Sequence, residues 1–230
     1  MKRKITIAID GFSSTGKSTI AKQLAKQLGY IYVDTGAMYR AVTLYAMQNN
    51  FIDKDHFAKA ELVNQLNNIS LKFIFNDTKG FAEMYLNGQN VEKEIRSLEV
   101  SKLVSKVATV SEIRKKLVEQ QREMGKNKGV VMDGRDIGTV VFKDAEMKLF
   151  MTASPEKRAS RRYKELLDRG DDVNFEEILE NVKYRDHIDS TRTDSPLVRA
   201  KDAIEFDNSN MGLKEQFERV YHLALEIIEA

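Results

Sequence analysis

A short glycine-rich segment near the N-terminus constrains the fold of this chain more than any other feature of the sequence. Residues 11–18 read Gly-Phe-Ser-Ser-Thr-Gly-Lys-Ser and match the phosphate-loop pattern G-x-x-x-x-G-K-[ST] in full. The apolar run at residues 5–9 predicts a strand buried on both faces, and apolar residues with helical spacing follow the loop up to Leu28. This order predicts a βαβ unit of a parallel sheet, with an anion site where the loop meets the helix.

The residues of this loop predict binding of ATP. Backbone N–H groups of the loop and of the helix N-terminus converge on an anion, and Gly11 and Gly16 allow a close approach that a Cβ would hinder. Lys17 is expected to contact the β- and γ-phosphates, and the Ser18 hydroxyl to bind Mg²⁺. GTP is disfavoured, because the only Asn-Lys pair, at residues 127–128, lacks the following Asp of a guanine-reading N-K-x-D motif. The expected phosphate-binding residues are Gly11, Phe12, Ser13, Ser14, Thr15, Gly16, Lys17, Ser18 and Thr19.

Arginines predict a second anion site and distinguish this chain from a simple nucleotide-hydrolysing protein. Arg40 follows the second predicted strand, and Arg135 follows the third. Ligands bind at the carboxyl edge of a parallel sheet, where we expect both of these side chains. Arg114 lies in a predicted helix, and two further arginines, Arg185 and Arg192, flank Asp189. A solvated surface is the alternative for single arginines on helices.

Three more arginines share one face of a predicted helix that opens with Ser154-Pro155. Arg158, Arg161 and Arg162 are spaced three and four residues apart, which places them on the same side of the helix. One interpretation is surface ion pairing with acidic residues of the same helix, such as Glu165. The other is a mobile segment that folds over ATP, excludes water and neutralises the moving phosphoryl group, with a hinge at residues 169–171.

The middle of the chain predicts a small antiparallel sheet inserted into the parallel fold. Apolar and polar residues alternate at about residues 69–75 and 81–86, and Asn87-Gly88 is typical of a tight hairpin turn. Helices are expected over about residues 37–47 and 98–124, the latter with a break near Thr109. Apolar strands at about residues 130–133, 148–151 and 203–206 bring the parallel sheet to five strands.

Composition excludes several other classes of protein. The 230 residues contain no cysteine, which rules out disulfides, thiolate zinc sites and a cysteine nucleophile. No apolar run approaches the roughly 18 residues of a membrane span. The net charge is +2, from 37 basic and 35 acidic residues, and gives no indication of a nucleic-acid or membrane surface. We therefore expect a protein that binds small molecules, with neither nucleic acid nor a membrane as partner, and the absence of cysteine suits the cytoplasm. A monomer is a separate expectation that composition does not decide.

Four segments in this order resemble bacterial cytidylate kinases: the phosphate loop and residues 34–40, 133–142 and 185–192. The resemblance covers essentially the whole chain, and its most specific part is Asp133-Gly134-Arg135-Asp136-Ile137-Gly138-Thr139-Val140-Val141-Phe142. It implies an α/β nucleoside-monophosphate kinase fold, in which a P-loop parallel five-stranded sheet core is flanked by helices. It also implies a small antiparallel and helical monophosphate-binding insertion and a short helical lid.

The implied reaction transfers the γ-phosphoryl group of ATP, with Mg²⁺, to CMP or dCMP, with UMP as a poorer acceptor. Residues 1–230 then form a single domain. Its core lies at about residues 1–35, 100–153 and 195–230, the insertion at about 36–100 and the lid at about 154–172.

The resemblance also implies a role for each matching residue. Arg40, Arg135 and Thr35, which stands where the family often has Ser, would hold the acceptor phosphate. The residues that would read cytosine are Ser105, Arg114 and Asp136, and those that would meet the ribose are Arg185 and Asp189. The implied catalytic residues are Lys17, Arg158, Arg161, Arg162 and Arg192. The implied metal-binding residues are Ser18, where some members have Gly, and Asp133 acting through water.

Two other functions share the phosphate loop. A kinase for another small molecule, such as shikimate or dephospho-coenzyme A, would have little reason to carry the motif at residues 133–142. A nucleotide-dependent binding module, or an ATPase coupled to a partner, would have no need for many arginines around a second anion site. The acceptor that stimulates ADP release would separate these possibilities.

Overall fold

The parallel sheet expected from the apolar runs is present in the computed structural model, which describes residues 3–230. The strands of this sheet and of a second, smaller one are β1 (Thr6–Gly11), β2 (Ile31–Asp34), β3 (Leu71–Asn76), β4 (Phe81–Leu86), β5 (Gln89–Asn90), β6 (Val130–Gly134), β7 (Met147–Thr152) and β8 (Ile204–Asp207). The helices are α1 (Lys17–Leu28), α2 (Thr35–Gln48), α3 (Lys59–Asn64), α4 (Leu98–Val107), α5 (Ser111–Met124), α6 (Pro155–Asp168), α7 (Phe175–Thr191) and α8 (Leu213–Glu229). The chain divides into two units, one made of the described residues up to Val33 with Met124–Ala230, the other of Asp34–Glu123.

The first unit contains a five-stranded sheet in the order β2-β6-β1-β7-β8. β1 pairs in parallel with β6 and β7, and β7 pairs in parallel with β8. Every residue of β1 is buried, and Ile9 lies in register with Asp133 on one side and Leu149 on the other. The predicted α/β class with a P-loop five-stranded parallel core is confirmed, and the carboxyl ends of β1 and β6 lie side by side at the phosphate loop.

Helix α1 begins at the last residues of the phosphate loop and buries its apolar face. Ile20 and Leu24 belong to one core cluster with Ile7 of β1, Leu149 of β7 and Val220 of α8. The helix ends as predicted at Gly29, whose backbone is left-handed with φ 67° and ψ 35°. This packing fixes the first turn of α1, which carries Lys17 and Ser18.

Helices α6 and α7 pack against each other through a small apolar cluster. Its buried members are Ala159, Leu166, Ile178 and Val182. Ser154 caps α6, as predicted, by accepting a hydrogen bond from the N–H of Lys157 at 3.3 Å, and Pro155 lies in the first turn. The arginines of α6 and α7 are therefore carried by two helices that share a core.

The second unit contains the predicted antiparallel sheet, in the order β3-β4-β5, together with helices α2, α3 and α4 and all of α5 but its last residue. Asn87 and Gly88 both have positive φ, 50° and 86°, in the turn between β4 and β5. The Asn-Gly pair predicted this turn, because both of its central residues need such angles. The helical stretch at residues 98–124 is divided into α4 and α5, which confirms the break near Thr109.

The structure differs from the sequence-based expectation at three short segments. Helix α2 begins at Thr35 rather than at Ala37, because a carboxylate oxygen of Asp34 accepts the Ala37 N–H at 2.9 Å and caps it. Arg40 therefore lies on this helix. Helix α3 and a one-turn π-helix at Ile137–Val141 were not predicted, since five or six residues give no readable period. Within residues 3–230, no helix is long and apolar enough to span a membrane.

Candidate active site

The phosphate loop connects β1 with α1 and adopts angles that its glycines make possible. Gly11 has φ 143°, and a Cβ at this position would lie 2.1 Å from the carbonyl oxygen of Met151. Gly16, at the start of α1, is left-handed with φ 92°. Both glycines of the motif are therefore required by the backbone itself, independently of any bound phosphate.

Lys17 is buried at the centre of this loop. Its Nζ donates to the carbonyl oxygen of Phe12 at 2.5 Å and to the Thr15 hydroxyl at 3.3 Å. Burial, followed by the nearby positive charge of Arg135, lowers the pKa of Lys17 below its ordinary value, and Arg185 acts in the same direction. A polyanion bound beside these three side chains would stabilise the charged form of Lys17 and raise its pKa again. The loop therefore favours a phosphate ligand.

Carbonyl groups on the loop are held by side chains from distant segments. The Thr15 carbonyl accepts from Nδ2 of Asn208 at 2.7 Å and from Arg161 at 3.2 Å. Nδ2 of Asn208 also donates to Gln216 of α8 at 2.7 Å. Sequence reasoning missed Asn208 and Gln216, since neither lies in a recognisable motif.

Ser18 and Asp133 form the pair that was predicted to hold a metal ion. The Ser18 hydroxyl donates to Oδ2 of Asp133 at 2.9 Å, and the Tyr32 hydroxyl donates to Oδ1 at 2.8 Å. Among residues 3–230 there is no cluster of three or more acidic or histidine ligands. A hydroxyl and one carboxylate fit Mg²⁺, which prefers oxygen donors and takes few from protein when substrate phosphates and water supply the rest.

Three arginines and one carboxylate form a charged cluster in the first unit. Nε of Arg135 donates to Oδ2 of Asp189 at 2.8 Å, and Arg192 lies 3.8 Å from the other carboxylate oxygen. Burial opposes ionisation of Asp189, but the charges of Arg135, Arg185 and Arg192 outweigh it and lower its pKa. Arg135 in turn has a raised pKa, because Asp189 more than offsets the effect of burial. Together with Lys17, these residues predicted from the sequence form one predominantly positive neighbourhood.

Asp10 is a buried carboxyl group that sequence reasoning did not single out. Its two oxygens accept the N–H groups of Ile137 and Gly138, each at 2.8 Å. Burial raises the pKa of Asp10 to about 7, against the lowering effect of these two hydrogen bonds. Asp10 thus ties the residue before the phosphate loop to the segment after Asp136, which is itself buried. The available signal was an acidic residue at the end of a strand that is otherwise apolar.

The three arginines of α6 have different environments, although their spacing predicted a single shared role for them. Arg158 is fully buried and pairs with Asp186 of α7 through two hydrogen bonds, at 2.9 and 2.5 Å. Arg161 contacts the phosphate loop through the Thr15 carbonyl and also donates to Asn208 at 3.0 Å. Arg162 pairs with Glu165 on its own helix at 2.8 Å. Surface ion pairing within the helix therefore describes Arg162 and not Arg158.

In the second unit, Asp34 holds two arginines at the start of α2. Its carboxylate accepts from Arg40 at 3.1 Å and from Arg96 at 2.8 Å. Burial raises the cost of ionising Asp34, but the charges of Arg40 and Arg96 dominate and hold its pKa below the ordinary value. Thr35, the next residue, is buried. Arg96 was missed because it lies in a short turn without a motif.

The two remaining predicted residues of the second unit are buried on α4 and α5. Ser105 and Arg114 are each 2% exposed, so the alternative of a solvated helical arginine does not describe Arg114. Arg114 donates to the carbonyl oxygen of Ala108 at 3.1 Å, and its guanidinium lies 5.6 Å from the centre of the Tyr39 ring.

These features define a class of protein: a P-loop nucleotide kinase, with a phosphate loop on a parallel sheet, a buried loop lysine and arginines gathered around it. The sequence model of one family, described as cytidylate kinase, matches residues 7–226. The chain belongs to this family, as the segments at residues 133–142 and 185–192 indicated.

Named relatives are similar over almost the full length of the chain. The cytidylate kinase of Flavobacterium johnsoniae is 64% identical over 227 residues, which cover 99% of this chain and 99% of that protein. The cytidylate kinase of Flavobacterium psychrophilum is 62% identical and covers 98% of this chain and 100% of its own. That of Parabacteroides distasonis is 59% identical over 93% of each chain. Family membership confirms the ATP-dependent phosphorylation of CMP or dCMP that the resemblance implied.

Proposed function

We propose that this protein transfers the γ-phosphoryl group of ATP to CMP or dCMP, giving ADP and CDP or dCDP, chiefly by neutralising and aligning phosphates. The acceptor phosphate is already an anion, so the reaction needs little acid–base chemistry. The main obstacle is repulsion between two polyanions, which positioned cations overcome. The observation that carries the proposal is the placement of Lys17 among the charges of Arg135 and Arg185.

The phosphate loop binds the phosphates of ATP in this proposal. Residues 11–19 supply N–H groups, and Lys17 neutralises charge on the β- and γ-phosphates as it shifts during transfer. Arg192, which lies in the same charged cluster through Asp189, acts on the transferring group. Arg158, Arg161 and Arg162 complete this set. Of these, Arg161 is supported most directly, by its contact with the Thr15 carbonyl of the loop.

CMP is proposed to bind through the residues to which the resemblance assigns this role. Arg40, Arg135 and Thr35 hold the acceptor phosphate, and the anionic partners Asp34 and Asp189 keep the two arginines oriented until it binds. Arg185 and Asp189 contact the ribose. The cytosine-reading residues are Ser105, Arg114 and Asp136, whose acceptors and cationic donor match the N4 amino group and the N3 and O2 acceptors of cytosine.

Mg²⁺ is proposed as the cofactor, held by the Ser18 hydroxyl and, through water, by Asp133. When bound with ATP, the ion neutralises charge on the β- and γ-phosphates. The 2.9 Å hydrogen bond between these two side chains keeps the serine oxygen and the carboxylate together. We further propose that the acceptor-binding insertion spans about residues 36–100 and the lid about residues 154–172, and that the protein acts as a cytoplasmic monomer without nucleic-acid partners.

A coupled assay of ADP release tests this function. Purified protein receives Mg²⁺ and ATP with CMP, dCMP, UMP, AMP or shikimate, and Lys17→Ala serves as the control for contaminating kinases. We expect rapid release with CMP or dCMP, slower release with UMP and almost none with AMP or shikimate. ADP release at the same rate without any acceptor would indicate an ATPase, and a higher rate with AMP or shikimate would identify a different kinase.

A further inference from the structure

The carboxylate of Asp133 is held by hydroxyl groups from two different elements. Ser18 of α1 donates to Oδ2 at 2.9 Å, and Tyr32 of β2 donates to Oδ1 at 2.8 Å. Ser18 belongs to the phosphate-loop motif, whereas Tyr32 belongs to none of the segments that carry the resemblance. The sequence separation between Tyr32 and Asp133 is 101 residues, so no local pattern indicated this contact.

Two hydrogen bonds prevent the Asp133 carboxylate from rotating, which a single hydrogen bond cannot do. The last torsion of an aspartate side chain is broad and roughly two-fold, so a single hydrogen bond leaves the carboxylate free to turn. Donors on opposite oxygens remove that freedom and direct Oδ2 towards Ser18. The Ser18 hydroxyl has one proton and two lone pairs, and a proton directed to Asp133 leaves its lone pairs available to a cation.

The Tyr32 side chain is itself held in position. Nζ of Lys22 lies 5.7 Å from the centre of the Tyr32 ring, which is within the range of a cation–π contact. Lys22 follows Ser18 by one helical turn on α1, so the same face of the helix carries the serine and supports the tyrosine. Strand β2, which carries Tyr32, lies next to β6, which carries Asp133.

We infer that Tyr32 is a positioning residue for metal-bound ATP: its hydroxyl orients Asp133, and Asp133 in turn orients the Ser18 hydroxyl and the water bound to a divalent cation. This inference rests on the proposed Mg²⁺ site. Tyr32 touches neither nucleotide nor metal in this arrangement. Its contribution should therefore be confined to the metal-dependent part of ATP binding. Partners that orient metal ligands in this way typically change metal affinity by about 10- to 100-fold when they are removed.

Tyr32→Phe tests the inference, because it keeps the ring over Lys22 and removes only the hydroxyl. Calorimetric titration measures the affinity for ATP with excess Mg²⁺ and with excess chelator. We expect the affinity for Mg²⁺-bound ATP to fall about tenfold, and the affinity for metal-free ATP and the KM for CMP to stay within about twofold of wild type. Tyr30→Phe is the matched control, since the Tyr30 hydroxyl accepts from the Ile5 N–H at 3.1 Å and should leave all of these values unchanged.

Three outcomes would overturn the inference. Unchanged affinity for Mg²⁺-bound ATP would show that Tyr32 does not orient the metal site, and equal losses with and without Mg²⁺ would indicate a structural role. A large fall in the unfolding temperature of Tyr32→Phe relative to Tyr30→Phe would lead to the same conclusion. If wild-type protein binds ATP more tightly with Mg²⁺ but does not phosphorylate CMP, the proposed function fails while the role of Tyr32 can still be confirmed.

Discussion

Arg158 should stabilise the fold far more than Arg162 on the same helix. Its side chain is 2% exposed, and its guanidinium makes two hydrogen bonds to Asp186, at 2.9 and 2.5 Å. It also donates to the carbonyl oxygens of Ala153 at 2.8 Å and Ser13 at 3.3 Å, and it lies 5.1 Å from the centre of the Phe12 ring. Arg158→Ala removes all of these contacts and leaves the Asp186 carboxylate without its guanidinium.

The size of the effect follows from what the substitution leaves behind. Breaking a buried ion pair by removing one partner costs about 3–5 kcal/mol, because the remaining charge is left uncompensated. Asp186 is 19% exposed and can be partly hydrated, so we expect the lower end of this range, about 3 kcal/mol. In a protein of this size about 3 kcal/mol corresponds to a fall in the unfolding temperature of roughly 6–12 °C.

Thermal unfolding of three variants measures this effect. Arg158→Lys keeps the charge but cannot form both hydrogen bonds to Asp186, and should lie between wild type and Arg158→Ala. Arg162→Ala is the matched control on the same helix: its partner Glu165 is 52% exposed, and such a pair contributes at most about 1 kcal/mol. An unfolding temperature of Arg158→Ala within about 2 °C of Arg162→Ala would refute the reasoning.

Three further predictions concern the reaction and its pH dependence. Lys17→Ala should lower kcat by roughly 100-fold or more without loss of fold, and unchanged turnover would contradict its catalytic role. Asp136→Asn should lower kcat/KM for CMP by about ten- to a hundredfold but change kcat/KM for UMP little, because the amide offers uracil O4 a donor. Equal losses for the two substrates would show that Asp136 does not read the base. Between the ordinary pKa of 3.8 and the folded-state value of about 7, Asp10 binds more protons in the folded protein, so stability should fall as the pH rises through this window. The unfolding temperature of wild type should fall relative to that of Asp10→Asn as the pH rises through this window. Parallel plots of unfolding temperature against pH for the two proteins would exclude this contribution of Asp10.

Local sequence predicted the region around the phosphate loop closely, because its structure depends on near neighbours. The buried strand β1, the glycines of the loop and the apolar stripe of α1 each follow from residues within a turn or two of one another. The same is true of the Asn87-Gly88 turn and of the Ser154 cap on α6. Helix α2 begins two residues before its predicted start, because the Asp34 side chain accepts the Ala37 N–H and caps the helix there.

The contacts that complete the site could not be predicted in this way. Asp10 meets Gly138 across 128 residues of sequence, Tyr32 meets Asp133 across 101 and Arg161 meets Thr15 across 146. Spacing and composition predicted that arginines would serve an anion site, but they gave Arg158, Arg161 and Arg162 the same role. Only their tertiary neighbours distinguish a buried ion pair with α7, a contact with the phosphate loop and an ion pair within α6 itself.

The sequence by itself determined the class of fold, the ATP-binding loop and the family, because these reside in contiguous motifs whose backbone geometry is local. The tertiary structure alone decided which carboxylate accepts from which donors: Asp189 from Arg135, Asp34 from Arg40 and Arg96, and Asp133 from the hydroxyls of Ser18 and Tyr32. The physical reason is that a hydrogen bond or an ion pair depends on distances of about 3 Å between side chains. Those distances are set by how strands and helices far apart in the chain pack together, and no pattern of neighbouring residues records them.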